Sequence, residues 1–387
     1  MKTARATDAS GVTILLFWFH DDWGQFGRTY ECVAKHLAEL PEVRHVVTVF
    51  PPELAGQSGP CWVRRVSDKL TLVNQVLSLR DETGIVGRLR RLWLEREFKK
   101  VLRSKGFRRD TTVLWLFPPH QYVEDIIKMV PHRMVVTQIV DDFTRFDPAF
   151  WLYDIAKRQY PRVPLFSDLI IASSQQNYDL FSEGSTPCLM FENGVDERFF
   201  GQPAAPPHQR NGARPRIGYV GWLTERTDLD LLEFVATQRP DWSLVLVGPQ
   251  YGVDLYMRGL LTFPNVHYVD FIPNSELPDF LSKLDVCLIP HRDTDYTRSM
   301  SPLKLYQYLA SGRPIVSTKV SGVERFAEYL TMTSDRFEFV QGIENTLNCD
   351  TAEQSARRIA AARNETWDKR IRVMFDAVVS RLYEINS

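Results

Sequence analysis

The sequence predicts an α/β protein made of two doubly wound halves, and three observations carry that expectation. Short, near-continuous apolar runs rich in β-branched residues alternate with helical patterns, as in parallel sheets covered on both faces. A Pro- and Gly-rich break interrupts the alternation, which then begins again. The chain has 387 residues, more than one hydrophobic core usually supports, so two domains of about 150–200 residues each are expected.

In chain order, the first strand is "VTILLFWF" (12–19), an apolar run too short to span a bilayer and followed by "HDDWG" instead of a small-residue cleavage site. Strands follow at "RHVVTVF" (44–50), "TVLWLF" (112–117), "RMVVTQIV" (133–140) and "DLIIAS" (168–173), with helices at 27–40 and 120–129. "GQPAAPPHQRNGARPR" (201–216) is the best linker. Beyond it come "RIGYVG", "SLVLVG", "VHYVDF", "DVCLIP" and "PIVST", separated by helices such as 228–238 and 275–284. The tail 352–384 reads as helical, with Trp367, Ile371, Phe375, Val378 and Leu382 as its apolar stripe. The expected boundaries are a first domain over 1–198, a linker over 199–215, a second domain over 216–364, and a helix over 365–387 that packs back on the first domain. A ligand cleft is expected between the halves.

Composition narrows the function classes. With 44% hydrophobic and 25% charged residues the chain is globular, and a net charge of −1 argues against nucleic acid as the main partner. Five widely spaced cysteines without a CxxC pair fit neither a disulfide framework nor a zinc site, which points to a reducing cytoplasm.

The stretch that carries chemistry is "SMSPLKLYQYLASGRPIVST" (299–318). Ser301 at the N-cap and Pro302 at the first helical position mark a helix start whose free N–H groups favour an anion. Lys304 falls in that first turn, where a cation opposes the helix dipole unless an anion is bound. Gln307 lies one turn further on the same stripe, about 5 Å away, the offset between a diphosphate and its ribose.

Together, "RIGYVGWLTERTDLDLLEFVATQRPDWSLVLVGP", "PNVHYVDFIPNSELPDFLSKLDVCLIP" and "SPLKLYQYLASGRPIVST" resemble the donor-binding half of GT-B glycosyltransferases, especially bacterial family-4-like and teichuronic-acid-type enzymes. "FENGVDERFF" (191–200) is similar to the Asn-Gly-Val-Asp signature of that family. The resemblance implies two Rossmann-like domains and transfer of a sugar from a UDP- or GDP-sugar to a hydroxyl of a glycan or lipid-linked acceptor in cell-surface polysaccharide assembly. It further implies that Met300, Ser301, Leu303 and Lys304 hold the diphosphate, that Gln307 faces the ribose, and that the Phe271 and Ile272 backbone borders the base. Gly221 would let the chain approach the phosphates, with Arg226 a second cation. Ser299 stands where many retaining members carry a glutamate, and Trp222 where many place an arginine. No metal or other cofactor is expected, because the helix terminus and Lys304 can offset the leaving group's charge.

In the first half, Asp141 and Asp142 follow a strand directly, and a carboxylate there is suited to deprotonate an acceptor hydroxyl, Asp142 being favoured. One aspartate capping the next helix while the other pairs with Arg145 is the structural alternative. His120 is a candidate donor to the transferred sugar, and His20, Gly24 and Gln25 are candidates to line the cleft. The segment 87–110 holds ten Lys/Arg against three acidic residues among Leu89, Leu92, Trp93 and Phe98, a pattern suited to an anionic membrane surface on a peripheral, cytoplasmic enzyme. A catalytically silent scaffold and a nucleotide-sugar epimerase are the alternative functions.

Overall fold

The computed structural model describes residues 11–18, 22–50, 63–74, 85–120, 122–201, 214–256 and 258–385. They divide into two compact units: Met1–Trp23, Gly27–Phe191 and Ile371–Ser387 in the first, Gly24–Phe26 and Glu192–Arg370 in the second. The chain leaves the first unit earlier than the expected boundary at 198, because Val195 and Phe199 are buried in the second unit's core. Phe199 to Gly201 are likewise part of the second unit, where the Gly201 amide donates to Ala310 O at 3.1 Å; linker residues 202–213 lie outside the described residues.

The first unit runs β1 (Val12–Phe17), α1 (Thr29–Glu39), β2 (Val43–Phe50), β3 (Val63–Arg65), β4 (Leu70–Asn74), α2 (Ile85–Ser104), β5 (Thr112–Leu116) and α3 (Val123–Met129). It continues with β6 (Met134–Ile139), α4 (Tyr153–Gln159), α5 (Val163–Phe166), β7 (Leu169–Ala172), α6 (Gln175–Asp179) and β8 (Cys188–Met190). Its eight-stranded sheet has the order β3-β4-β2-β1-β5-β6-β7-β8, parallel apart from the antiparallel β3–β4 pair. Ile14, Leu15 and Leu16 on β1 have no exposed surface, the consequence of a central strand covered on both faces.

The second unit runs β9 (Arg216–Val220), α7 (Leu229–Gln238), β10 (Ser243–Val247), β11 (Val266–Val269), α8 (Leu277–Leu281), β12 (Val286–Ile289), α9 (Asp295–Arg298) and α10 (Leu303–Ser311). Then come β13 (Ile315–Thr318), β14 (Thr331–Thr333), α11 (Arg336–Cys349), α12 (Ala352–Ala362) and α13 (Trp367–Glu384), whose residues from Ile371 on belong to the first unit. There Arg372 pairs with Glu42 at 2.9 Å and Arg381 donates to Asp168 O at 3.1 Å. The six strands are parallel in the order β11-β10-β9-β12-β13-β14. Chain direction across this sheet reverses between β9 and β12, so the carboxyl ends of those strands form the topological switch point where open α/β sheets bind ligands. Among the described residues no helix is long and apolar enough to cross a membrane.

Helix α10 feeds that switch point, and its two ends differ. Its N-cap is Pro302, with no side-chain cap, which corrects the expectation that Ser301 caps it. The Ser301 side chain turns instead to the Asn193 amide N (3.2 Å), while Asn193 Nδ2 donates to Ser301 O (2.7 Å). At the other end Gly312 adopts φ +72° and its carbonyl accepts from Arg358 Nε (3.1 Å) and Nη2 (2.9 Å). Arg358 also forms a bidentate pair with Asp350 at 2.8 and 2.7 Å, with both residues buried. A satisfied buried pair of this kind is costly to break from one side, since the other charge is then stranded. Arg358→Ala should therefore lower the unfolding free energy by about 3–5 kcal/mol, while Arg358→Met combined with Asp350→Leu should lose less. Urea unfolding of the full chain measures both.

Candidate functional site

Two glycines shape the carboxyl ends of β9 and β10. Gly221 has φ +143° and Gly248 φ +132°, conformations that residues with a Cβ rarely adopt. A Cβ on Gly248 would stand 2.3 Å from the Gly221 carbonyl oxygen, so the two backbones approach closely only without one. A Cβ on Gly221 would stand 2.8 Å from Lys304 Nζ. The missing methyl group is the space the ammonium fills.

Lys304, partly buried in the first turn of α10, donates to Tyr219 Oη at 2.8 Å and lies 3.1 Å from His291 Nε2. Its ammonium is also 4.0 Å from the centre of the Tyr219 ring, a cation–π contact. No ion pair joins it among the described residues. Burial, and then the nearby Arg226 cation, hold the ammonium well below the usual lysine range. His291, 2% exposed, is kept neutral by burial and by the Lys304 and Arg226 charges. Arg226 itself contacts Tyr296 Oη at 3.3 Å and Met300 Sδ at 3.8 Å, so both cations border the chain segment that leads into α10. Among the described residues no carboxylate pairs with Lys304, and the charge that acts on it is the Arg226 cation.

The structure thus brings Gly221, Arg226, Met300 and Lys304 together. Ser301 is buried and engaged with Asn193, as above, while Leu303 is only partly buried. Gln307, 9% exposed, has an amide that makes no hydrogen bond among the described residues, which leaves it available to a ligand hydroxyl. Ile272 packs on the core, and Phe271 is 40% exposed just past β11. Gly24–Phe26 clusters with this unit: Phe26 meets Trp222 and Phe271 edge-on at 5.4 and 5.5 Å, and Gln25 O accepts from the Asn274 amide at 3.3 Å. Ser299 is fully buried with its hydroxyl on Tyr296 O (2.8 Å), so that position closes a turn and presents no group to a ligand. Tyr219 and His291, absent from the expected set, are the residues that Lys304 Nζ contacts. Their signal was weak because a tyrosine inside a strand and a histidine just past one read as packing.

In the first unit, Asp142 has no exposed surface. One oxygen accepts from Thr144 N (3.0 Å) and Oγ1 (2.6 Å), and the other lies 3.4 Å from Arg145 Nε. The capping and pairing tasks expected to be divided between two aspartates both fall to Asp142, which corrects its reading as the reachable base; Asp141 is the partly exposed one. His120 is buried, its Nδ1 accepts from the Tyr122 amide (3.1 Å), and burial lowers its pKa to about 4, so it is neutral at pH 7 with its proton on Nε2. His20 lies outside the described residues.

The fold is GT-B. Sucrose-phosphate synthase from Thermosynechococcus elongatus superposes with a TM-score of 0.71 at 15% identity, covering 96% of this chain and 99% of that one. Anabaena HepE, in complex with UDP and glucose, gives 0.67 at 16% identity over 95% and 100%. In sequence, residues 214–349 match the family "Glycosyl transferases group 1", and this stretch contains Gly221, Arg226, His291 and Lys304. A Bacillus subtilis (strain 168) protein named as a teichuronic acid biosynthesis glycosyltransferase is 29% identical over 187 residues, 46% of this chain and 47% of its own length. A GDP-mannose:cellobiosyl-diphosphopolyprenol alpha-mannosyltransferase of Xanthomonas campestris is 31% identical over 91 residues, 22% and 23% of the two chains. The matches thus span less than half of either curated relative.

The glycine geometry gives a ranked expectation. Gly248→Ala forces a Cβ onto backbone that cannot yield, whereas Gly221→Ala meets the movable end of Lys304. Both incur backbone strain of about 1–3 kcal/mol, and Gly248→Ala should lower the urea midpoint further than Gly221→Ala does.

Proposed function

We propose that the protein is a glycosyltransferase that takes a sugar from UDP- or GDP-sugar and transfers it to a hydroxyl of a glycan or lipid-linked acceptor during cell-surface polysaccharide assembly. The observation that carries this reading is Lys304: a lysine without a carboxylate partner among the described residues, set at a glycine-lined strand end inside the region that matches a glycosyltransferase family. Such a site favours an anion, and a nucleoside diphosphate leaving group is one. As the glycosidic bond breaks, negative charge grows on the diphosphate, and Lys304 with Arg226 offsets it. Gln307 offers its free amide to a ribose hydroxyl, and the chain at Phe271 and Ile272 borders the base. In this scheme the two cations replace a divalent metal. On the acceptor side Asp141 is the base candidate, since Asp142 is committed to its turn, and neutral His120 is suited to donate from Nε2 to a sugar oxygen.

Lys304→Ala should weaken UDP or GDP binding by about 1.5–3 kcal/mol, the scale of a charge-assisted hydrogen bond. Titration calorimetry reads this directly, and unchanged affinity for both nucleotides would sink the assignment. Turnover of a UDP- or GDP-sugar should also persist in EDTA.

A lipid-linked acceptor would draw the enzyme to an anionic membrane, and α2 supplies a surface for it. Phe98 and Leu102 bury one face of α2 in the first unit's core. The opposite face exposes Leu89 (62%), Leu92 (62%) and Trp93 (52%), then Arg96, Lys100 and Arg103. Apolar side chains followed by cations suit insertion beneath anionic headgroups, with Lys100 also 3.8 Å from Glu97. Changing Arg96, Lys100 and Arg103 to Gln should weaken binding to phosphatidylglycerol vesicles by up to about 1 kcal/mol per charge and leave turnover of a soluble acceptor intact. A wild-type protein indifferent to such vesicles at low salt removes the membrane from the proposal.

A further inference from the structure

His291 is buried, lies two residues past β12, and has no part in the donor contacts described so far. Its position beside Lys304 is set by several independent contacts. The His291 amide donates to Thr318 Oγ1 at 3.1 Å, and Thr318 Oγ1 donates back to His291 O at 2.6 Å, which fixes the backbone. The ring stands edge-on to Tyr219 at 6.1 Å.

Proton accounting then limits what each group can do. Tyr219 gives its hydroxyl proton to Trp222 O at 2.9 Å, so toward Lys304 the Tyr219 oxygen can only accept. An ammonium has protons and no lone pair, so His291 Nε2 must also accept from it. Two of the three N–H groups of Lys304 are thereby bound to neutral acceptors, and among the described residues the third has no partner. We propose that His291 and Tyr219 are positioning residues that hold Lys304 so that its one remaining N–H is presented to a ligand phosphate oxygen. The assignment rests on the donor-site reading given above, and it adds that the lysine's aim is set by two residues that touch no substrate.

The arrangement has a pH consequence. Among the described residues, the charged or titratable groups that act on the Lys304 ammonium are Tyr219 from β9, Arg226 from the loop after it and His291 from the segment past β12, and none of the three supplies a negative charge. Burial and Arg226 make Lys304 lose its proton more readily than an ordinary lysine, and a bound phosphate opposes that loss. Nucleotide affinity should therefore fall as pH rises, at a lower pH than an ordinary lysine would dictate. Removing the His291 acceptor weakens the hold on the ammonium and moves the fall lower still.

The test measures UDP and GDP dissociation constants by calorimetry across a pH series for the wild type, His291→Leu, His291→Gln, Tyr219→Phe and Lys304→Met. His291→Leu and Tyr219→Phe should each weaken binding by about tenfold, roughly the loss of one aligned charge-assisted contact, and His291→Gln, which retains an acceptor, should recover most of it. In the Lys304→Met background neither change should matter further. Equal weakening by His291→Leu with and without Lys304, or wild-type affinity in both His291→Leu and Tyr219→Phe, overturns the assignment. If His291→Leu fails to fold, Tyr219→Phe decides alone. Binding that is lost in Lys304→Met but untouched by the other variants sinks only this inference, whereas binding indifferent to Lys304→Met sinks the donor-site reading itself.

Discussion

The site in the second unit depends on one steric constraint, the absence of a Cβ at two neighbouring strand ends. Gly248 lets the β9 backbone come within 2.3 Å of where its own Cβ would stand, and Gly221 in turn leaves a volume into which Lys304 Nζ extends. Everything else follows from that volume being filled by an ammonium and not a methyl group. The lysine is drawn partly away from solvent, and its head reaches a tyrosine and a histidine from other segments.

Placing a cation there is unfavourable in the absence of ligand, for two reasons that add. Burial removes solvation, and the first turn of a helix already carries partial positive charge. Several other charges of the same unit have a counter-ion within the chain. Arg358 meets Asp350 in a bidentate pair, and Arg325 and Arg370 share Glu365, with Arg325 also on Glu192. Those groups stabilise the fold because each has its counter-ion within the chain. Lys304 has two neutral acceptors instead, which hold two of its three N–H groups and leave its charge uncompensated. A group that is held geometrically, keeps one N–H unused and is unbalanced electrostatically favours an anion from outside.

The sheets were legible in the sequence because parallel strands buried on both faces appear as unbroken apolar runs, and the runs at 12–19, 112–117 and 243–248 each contain the observed strand. The short segments β3 and β14 carry no such run: "VRR" is exposed on all three residues and "TMT" only partly buried. Lys304 was legible because a cation in a helix's first turn is locally anomalous. Its partners were not, since Tyr219 lies 85 positions away and only the fold brings it within 2.8 Å. Ser301 was misread for a related reason. The local Ser-Pro pattern signals a cap, but Asn193 lies 108 positions earlier and offers the serine two hydrogen bonds that the helix end does not.

The far end of α10 explains why so short a helix can aim a side chain. Leu303–Ser311 is nine residues, below the length at which an isolated helix is stable in water, so its geometry must be imposed by its surroundings. Leu305, Tyr306, Tyr308 and Leu309 supply this through complete burial, and the C-terminal carbonyl of Gly312 is held by Ser355 as well as by Arg358. Arg358 also places positive charge at the helix C-terminus, where the dipole favours it. The helix is therefore fixed by packing along its length and by charge at the end away from Lys304, while the Lys304 end lacks a side-chain cap. Because the anchoring groups are not the ligand-facing ones, the N-terminal N–H groups and the lysine stay in place without the ligand having to order them, and the free energy of anion binding is not consumed in folding the site.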